Sequence, residues 1–205
     1  ASFTVNGHLE TWPVGSPDFK DWAARRLYLD HGRFVGDLAL KDALSFARGH
    51  ARYEGQERPV HIRVAYHGDS IYYDLCDDDW QQVEISKTGW RVIPTSESPV
   101  RFRRFRNSRP QVMPVDSDTS EAIRLLRKYV HVAESDLPLV LAWLVTAFVP
   151  EIPHPILEMQ GDMGSGKSKA QIFLARLIDP SVADALTLPS NVALLEQHFS
   201  QQHAL

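Results

Sequence analysis

The run GDMGSGKS, from Gly161 to Ser168, sets a glycine, four residues, a second glycine, a lysine and a serine in the order that cradles a phosphate chain. Glycines at 161, 164 and 166 let the backbone wrap an anion without Cβ clashes, so that successive N–H groups turn inward. Lys167 adds a mobile positive charge for the β and γ phosphates, and the Ser168 hydroxyl is placed to ligate Mg²⁺. The pattern is that of a Walker A loop. Its candidate contacts to ATP are Gly161, Asp162, Met163, Gly164, Ser165, Gly166, Lys167, Ser168 and Lys169, with Lys167 as the candidate catalytic group. The flanks agree: Ile156 to Gln160 has strand propensity, and Ser168 to Ile178 reads as a helix whose N-terminus faces the phosphates. The competing reading of these residues is a glycine-rich turn without a ligand.

A second stretch, RFRRFRNSR, puts Arg101, Arg103, Arg104, Arg106 and Arg109 beside Phe102 and Phe105. Such cations could follow a phosphate backbone while bases stack on phenylalanine or guanidinium planes. The alternative is a solvated edge strand with its phenylalanines turned inward. Asp74, Asp77, Asp78 and Asp79 could form a carboxylate cluster for two metals, but a turn after a strand accounts for them more simply. The histidines show no pair at helical metal spacing and read as surface or core residues. A P-loop ATPase also needs an acidic strand end that holds Mg²⁺ and orients water. After Pro180 the chain reads as a loop and a helix, so this stretch of sequence is expected to contact nucleotide without hydrolysing it.

Elements to hold these residues can be read along the chain. Phe3 to Val5, Asn6-Gly7 and His8 to Val14 predict a hairpin, since Asn-Gly tolerates the positive φ angles of a two-residue turn. Ser16-Pro17 starts a helix with Phe19, Trp22, Ala23 and Leu27 on one face, ended by His31-Gly32. A second helix runs from Asp37 to about Tyr53, with Leu40, Ala43, Leu44, Ala47 and Ala51 inward. Four strands follow: Val60 to Tyr66, then strands around Ile71 to Leu75, Val83 to Ile85 and Trp90 to Val92. A meander with one apolar face needs a cover, which the two preceding helices are expected to supply. Asp118 with Glu121 predicts a capped helix start, and Ser135 caps an apolar helix over 136–148.

Composition sets bounds on the rest. The 205 residues are 43% hydrophobic, enough for real cores. The net charge of −4 conceals an uneven distribution, because residues 1–110 carry 16 Lys and Arg against 15 Asp and Glu, and 111–205 carry 6 against 11. A single cysteine, Cys76, excludes an internal disulfide and a cysteine-based zinc site, and a reducing cytoplasm is the expected location. The start ASFTVNGHLE reads as neither signal peptide nor natural beginning. The apolar run Leu137 to Val149 is too short to span a bilayer, so no membrane partner is expected.

Taken together, HLETWPV, RVAYHGDSIYYDLCDDDWQQVEI, GWRVI, PVRFRR, LVLAWLVTAF and PHPILEMQGDMGSGKSKAQIFLARLIDPS resemble the ATP-binding proteins of bacterial phages and integrated mobile elements. Those proteins occur beside, or fused to, a primase and are regarded as replicative helicase-type ATPases. The resemblance implies ATP and Mg²⁺ as ligands, single-stranded or primer-template DNA and a primase as partners, and homo-oligomers through the complete ATPase domain. In relatives the next strand carries the Walker B aspartate, and this chain stops just short of it. They commonly have Thr where this sequence has Lys169, which alters local charge but not the cradle. The expected architecture is an α+β module over 1–95, an antiparallel β-meander with two helices. An arginine-rich linker over 96–116 and a helical segment over 117–150 follow, and 151–205 begin an α/β P-loop NTPase domain, incomplete here. Two rival functions stay open: a signalling or defence ATPase whose front module binds protein, and a nucleic-acid-binding accessory whose P-loop is structural.

Overall fold

A computed structural model describes residues 1–150, 152–182, 191–193, 196, 200, 201 and 203. The helix expected after Pro180 lies almost wholly outside the described residues. The chain divides into two compact units, Ala1–Val60 and His61–Leu205, so the break falls inside the stretch expected as a single module.

In the first unit, β1 (Ser2–Val5) and β2 (His8–Thr11) pair antiparallel, with Ser2 opposite Thr11 and Val5 opposite His8. Asn6 and Gly7, at φ 47° and 92°, both take the left-handed conformation the two-residue turn requires. Helix α1 (Pro17–His31) starts where the Ser16 hydroxyl accepts from the Phe19 N–H at 3.2 Å, and Gly32 ends it at φ 64°. Phe3 stacks on Trp22 at 4.0 Å and meets the edge of Phe19 at 5.3 Å, which fastens the hairpin to this helix. Helix α2 (Asp37–Tyr53) turns Leu40, Leu44 and Ala47 inward, whereas Ala43 and Ala51, expected to face the core, are exposed. The stripe is thus narrower than expected, one residue per turn at i, i+4 and i+7.

The second unit opens with an antiparallel meander in sequence order: β3 (Val64–His67), β4 (Ser70–Asp74), β5 (Gln81–Ser86) and β6 (Gly89–Pro94). Its register aligns Val64, Tyr73, Val83 and Val92 across the sheet, as the alternation predicts. Within this unit Val64, Tyr73, Leu75 and Val83 make one core on that face, with Phe148 packed against it. The opposite face is buried as well, since Ala65, Tyr72 and Ile93 pack with Val100 and Phe102. The stretch expected as a linker therefore folds back over the sheet. His61 and Phe102 form a parallel bridge, with the His61 N–H donating to Arg101 O and the Arg103 N–H to His61 O, both at 2.9 Å. The first meander strand starts at Val64, not Val60, because Arg63 sits at φ 56° and breaks the extended run.

Among the described residues, three helices follow the meander in this unit. Helix α3 (Thr119–Tyr129) is capped by Asp118, which accepts from the Ser120 N–H at 3.3 Å, while Glu121 pairs with Arg124 instead of closing a capping box. Helix α4 (Leu137–Thr146) begins after Asp136 with no side-chain cap, and Ser135, expected to cap it, donates to the Asp136 carboxylate at 3.1 Å. Helix α5 (Lys167–Ile178) buries Ala170, Leu174 and Ile178 at four-residue spacing. Leu126 and Val130 from the α3 end, Val140 from α4, and Ala170 with Leu174 make one core, and Tyr129 stacks on Phe173 at 4.8 Å. Among the described residues no helix is long and apolar enough to cross a membrane.

Candidate functional site

The glycine loop stands at the start of α5. Gly164 and Gly166 take φ 84° and 87°, conformations that cost an L-residue free energy, and Gly166 is the residue before the first helical turn. Gly161 is at φ 153°, and a Cβ there would come within 3.1 Å of Ser165 Oγ. Each glycine of the pattern is thus needed by the backbone path. Lys167 is the first helical residue, and its ammonium folds back into the loop to donate to Gly161 O at 2.6 Å, Asp162 O at 2.7 Å and Ser165 Oγ at 3.3 Å. A cation is therefore held at the concave side of the loop, next to the amides of a helix start, where an anion is favoured. Asp162, Met163, Ser165, Ser168 and Lys169 are all exposed. The approach to the loop corrects the expected strand. Residues 153–160 form no strand, because a strand needs a ladder partner and none of the described residues offers one. Leu157 and Met159 nonetheless alternate onto the helical core, and Trp143 Nε1 pins the segment by donating to Pro155 O at 2.9 Å.

The arginine-rich stretch is split by role. Phe102, 3% exposed, is a core residue and has no face left for a base. Arg104 donates to both carboxylate oxygens of Asp74 at 2.9 and 2.6 Å and to Asp77 O, with its guanidinium 4.0 Å from the Trp80 ring centroid. It is committed to the fold. Arg101 is half-buried and donates to Ser98 O and Val100 O. Arg103, Arg106 and Arg109 are exposed, with Arg103 lying 4.3 Å over the half-buried Phe105 ring. The aspartates serve the same construction, since Asp77 Oδ1 accepts from the Gln81 N–H at 2.7 Å and closes the turn. Burial raises the Asp77 carboxyl above its usual range. Among the described residues no group of three or more His, Cys, Asp or Glu could hold a metal ion.

Arg63 is 2% exposed and joins these parts. Its Nε donates to Asp179 Oδ1 at 2.7 Å, one terminal nitrogen to Asp74 O at 3.1 Å, and the other to Arg109 O and Pro180 O, both at 3.0 Å. Around it the last carbonyls of α5 are satisfied by side chains: Tyr73 Oη donates to Ile178 O at 2.7 Å, and Gln111 Nε2 to Arg176 O at 3.1 Å and Leu177 O at 3.0 Å. No local sequence signal marks these residues, since Arg63 and Asp179 are 116 positions apart. Compared with protein-family models, with curated proteins and with solved structures, the chain matches none.

Proposed function

We propose that the loop 161–168 binds ATP with Mg²⁺ and that the chain is part of a helicase-type ATPase acting on DNA in phage or mobile-element replication, with a primase as neighbour. The observation that carries this reading is the Lys167 ammonium, held in the hollow of a loop with two left-handed glycines at the start of a helix. Its present partners are two carbonyl oxygens and a hydroxyl, acceptors that phosphate oxygens would replace. The residues fit such a ligand: backbone amides from Gly164 to Ser168 for the phosphates, Lys167 for their charge and the exposed Ser168 hydroxyl for the metal. Bound Mg²⁺ would neutralise phosphate charge as it develops. Arg103, Arg106 and Arg109 are the cations left for a nucleic-acid backbone, with Phe105 as the remaining stacking surface. One observation favours the rival reading, a front module that binds protein: Phe34, Leu38, Phe46 and Tyr53 of the first unit are all strongly exposed.

The test is equilibrium binding of a fluorescent ATP analogue to the chain and to Lys167→Ala. We expect the variant to keep its far-UV circular dichroism and lose affinity by at least about tenfold, since a charge-assisted contact is worth roughly 1.5–3 kcal/mol. Equal affinity in the two folded proteins would refute the nucleotide site.

A further inference from the structure

The segment leaving the P-loop helix is hydrogen-bonded directly to the arginine-rich stretch. Ser108 and Ser181 form an antiparallel bridge, the Arg109 N–H donates to Pro180 O and the Val182 N–H to Asn107 O, both at 2.8 Å. Arg63 then closes the joint from inside, because one of its terminal nitrogens bonds both Arg109 O and Pro180 O while Nε holds Asp179. Asp179, at the C-terminal end of α5, also accepts from the His203 N–H at 2.8 Å. A carboxylate there opposes the helix dipole, so a compensating cation is required, and a buried guanidinium with four acceptors meets that need.

Backbone strain concentrates at the same place. Among the described residues four non-glycine residues have positive φ: Asn6 is in the hairpin turn, and the other three are Arg63, Cys76 and Trp80, at 56°, 52° and 55°. Arg63 donates to Asp74 O, the Cys76 N–H donates to Asp74 Oδ1 at 3.2 Å, and Trp80 lies under the arginine that grips Asp74. Strain of this kind persists only where the surroundings over-determine it.

We propose that Arg63 is a positioning residue that locks the C-terminal end of the P-loop helix to the arginine-rich stretch, so that ATP in the loop and single-stranded DNA on Arg103, Arg106 and Arg109 influence each other's binding. This rests on the reading of loop 161–168 as a nucleotide site and of the exposed arginines as a nucleic-acid contact. The two ligands would engage opposite ends of one lever: the loop at the N-terminal end of α5, and the arginines on the stretch bridged just beyond its C-terminal end. Coupling between sites is reciprocal, so either ligand can report it.

The experiment measures the affinity of a fluorescent non-hydrolysable ATP analogue with and without a saturating thymidine oligonucleotide, in the full chain and in Asp179→Asn, Arg63→Lys and Gln111→Ala. In the unaltered chain the oligonucleotide is expected to change the affinity at least about fivefold. In the variants that factor is expected to fall towards one, while the affinity for analogue alone stays within about threefold. Gln111→Ala, which removes bonds to Arg176 O and Leu177 O from a half-buried position, keeps the test open should the buried variants fail to fold. A factor of one in the unaltered chain, with both ligands bound, overturns the proposal alone, and so does a factor that survives in the folded variants. Failure of the unaltered chain to bind the analogue removes the nucleotide site itself and the proposal with it.

Discussion

Cys76 shows how burial beside a carboxylate holds a reactive group in its protonated form. Its thiol donates to Asp74 Oδ2 at 3.3 Å, and burial, reinforced by the Asp74 charge, pushes its pKa up to about 12 from 9.0. Burial likewise pushes the Tyr73 phenol up to about 12 from 10.0. Both groups keep their protons in the folded state at pH values where the unfolded chain has lost them. A raised folded pKa contributes stability that is full below the unfolded value and is lost as pH rises towards the folded one. We therefore expect the urea midpoint to fall from about pH 9 towards pH 12, and the fall to be shallower in Cys76→Ala. The same thiol should react slowly with a disulfide reagent near neutral pH and promptly in urea. A midpoint flat across that window, or a thiol equally reactive in both states, would contradict the burial seen here.

At the scale of elements, the arginine-rich stretch combines two kinds of residue that the sequence could not tell apart. Arg104 and Asp74 have side chains only 9% and 2% exposed, so removing the cation leaves a buried carboxylate unpaired. Arg104→Ala is expected to cost about 3–5 kcal/mol of stability. Charge reversal at Arg103, Arg106 and Arg109 should leave stability within about 0.5 kcal/mol at each exposed site. The same change should weaken single-stranded DNA binding and reduce its salt slope by roughly 0.7 per lost phosphate contact. Chemical denaturation and a salt series on the two variants check both halves; unchanged affinity and slope in the triple variant would move DNA to another surface. What the sequence revealed was local. The Asn6-Gly7 turn, the Ser16 and Gly32 ends of α1 and the Val64, Tyr73, Val83 and Val92 row each depend on neighbours or on simple alternation. The glycine loop was legible for the same reason, its conformations being written in consecutive residues. Hidden were the second buried face of the meander, where Phe102 packs with Ala65, and the Arg63 joint, whose carboxylate is Asp179, since neither pairing lies within reach of local pattern. Ile156 to Gln160 failed as a strand on the same ground: alternation makes a segment able to pair, but a ladder needs a second segment.

For the whole molecule, the two compact units make separate claims about folding. Residues 1–60 carry their own aromatic cluster of Phe3, Phe19 and Trp22, but a chain of that length buries only about 60% of its unfolded surface and is marginal alone. The second unit closes its meander with residues far along the chain: Phe148 on Tyr73, Asp179 on Arg63 and the Ile178 carbonyl on the Tyr73 hydroxyl. A cut at 110 would keep all four strands yet remove every one of these partners, and with them Gln111. The buried Arg63 would then lose the carboxylate that compensates it, a loss of about 3–5 kcal/mol and comparable to the whole stability of a small domain. Fragment 61–205 is therefore expected to melt cooperatively and to bind the ATP analogue like the full chain. Fragment 1–110 should show only the helical signal of the first unit, with the meander open to protease. Thermal circular dichroism with limited proteolysis of 1–60, 1–110 and 61–205 decides it. A protease-resistant meander in 1–110 would mean that the sheet closes without α5, and that the joint at Arg63 fastens two parts that fold independently.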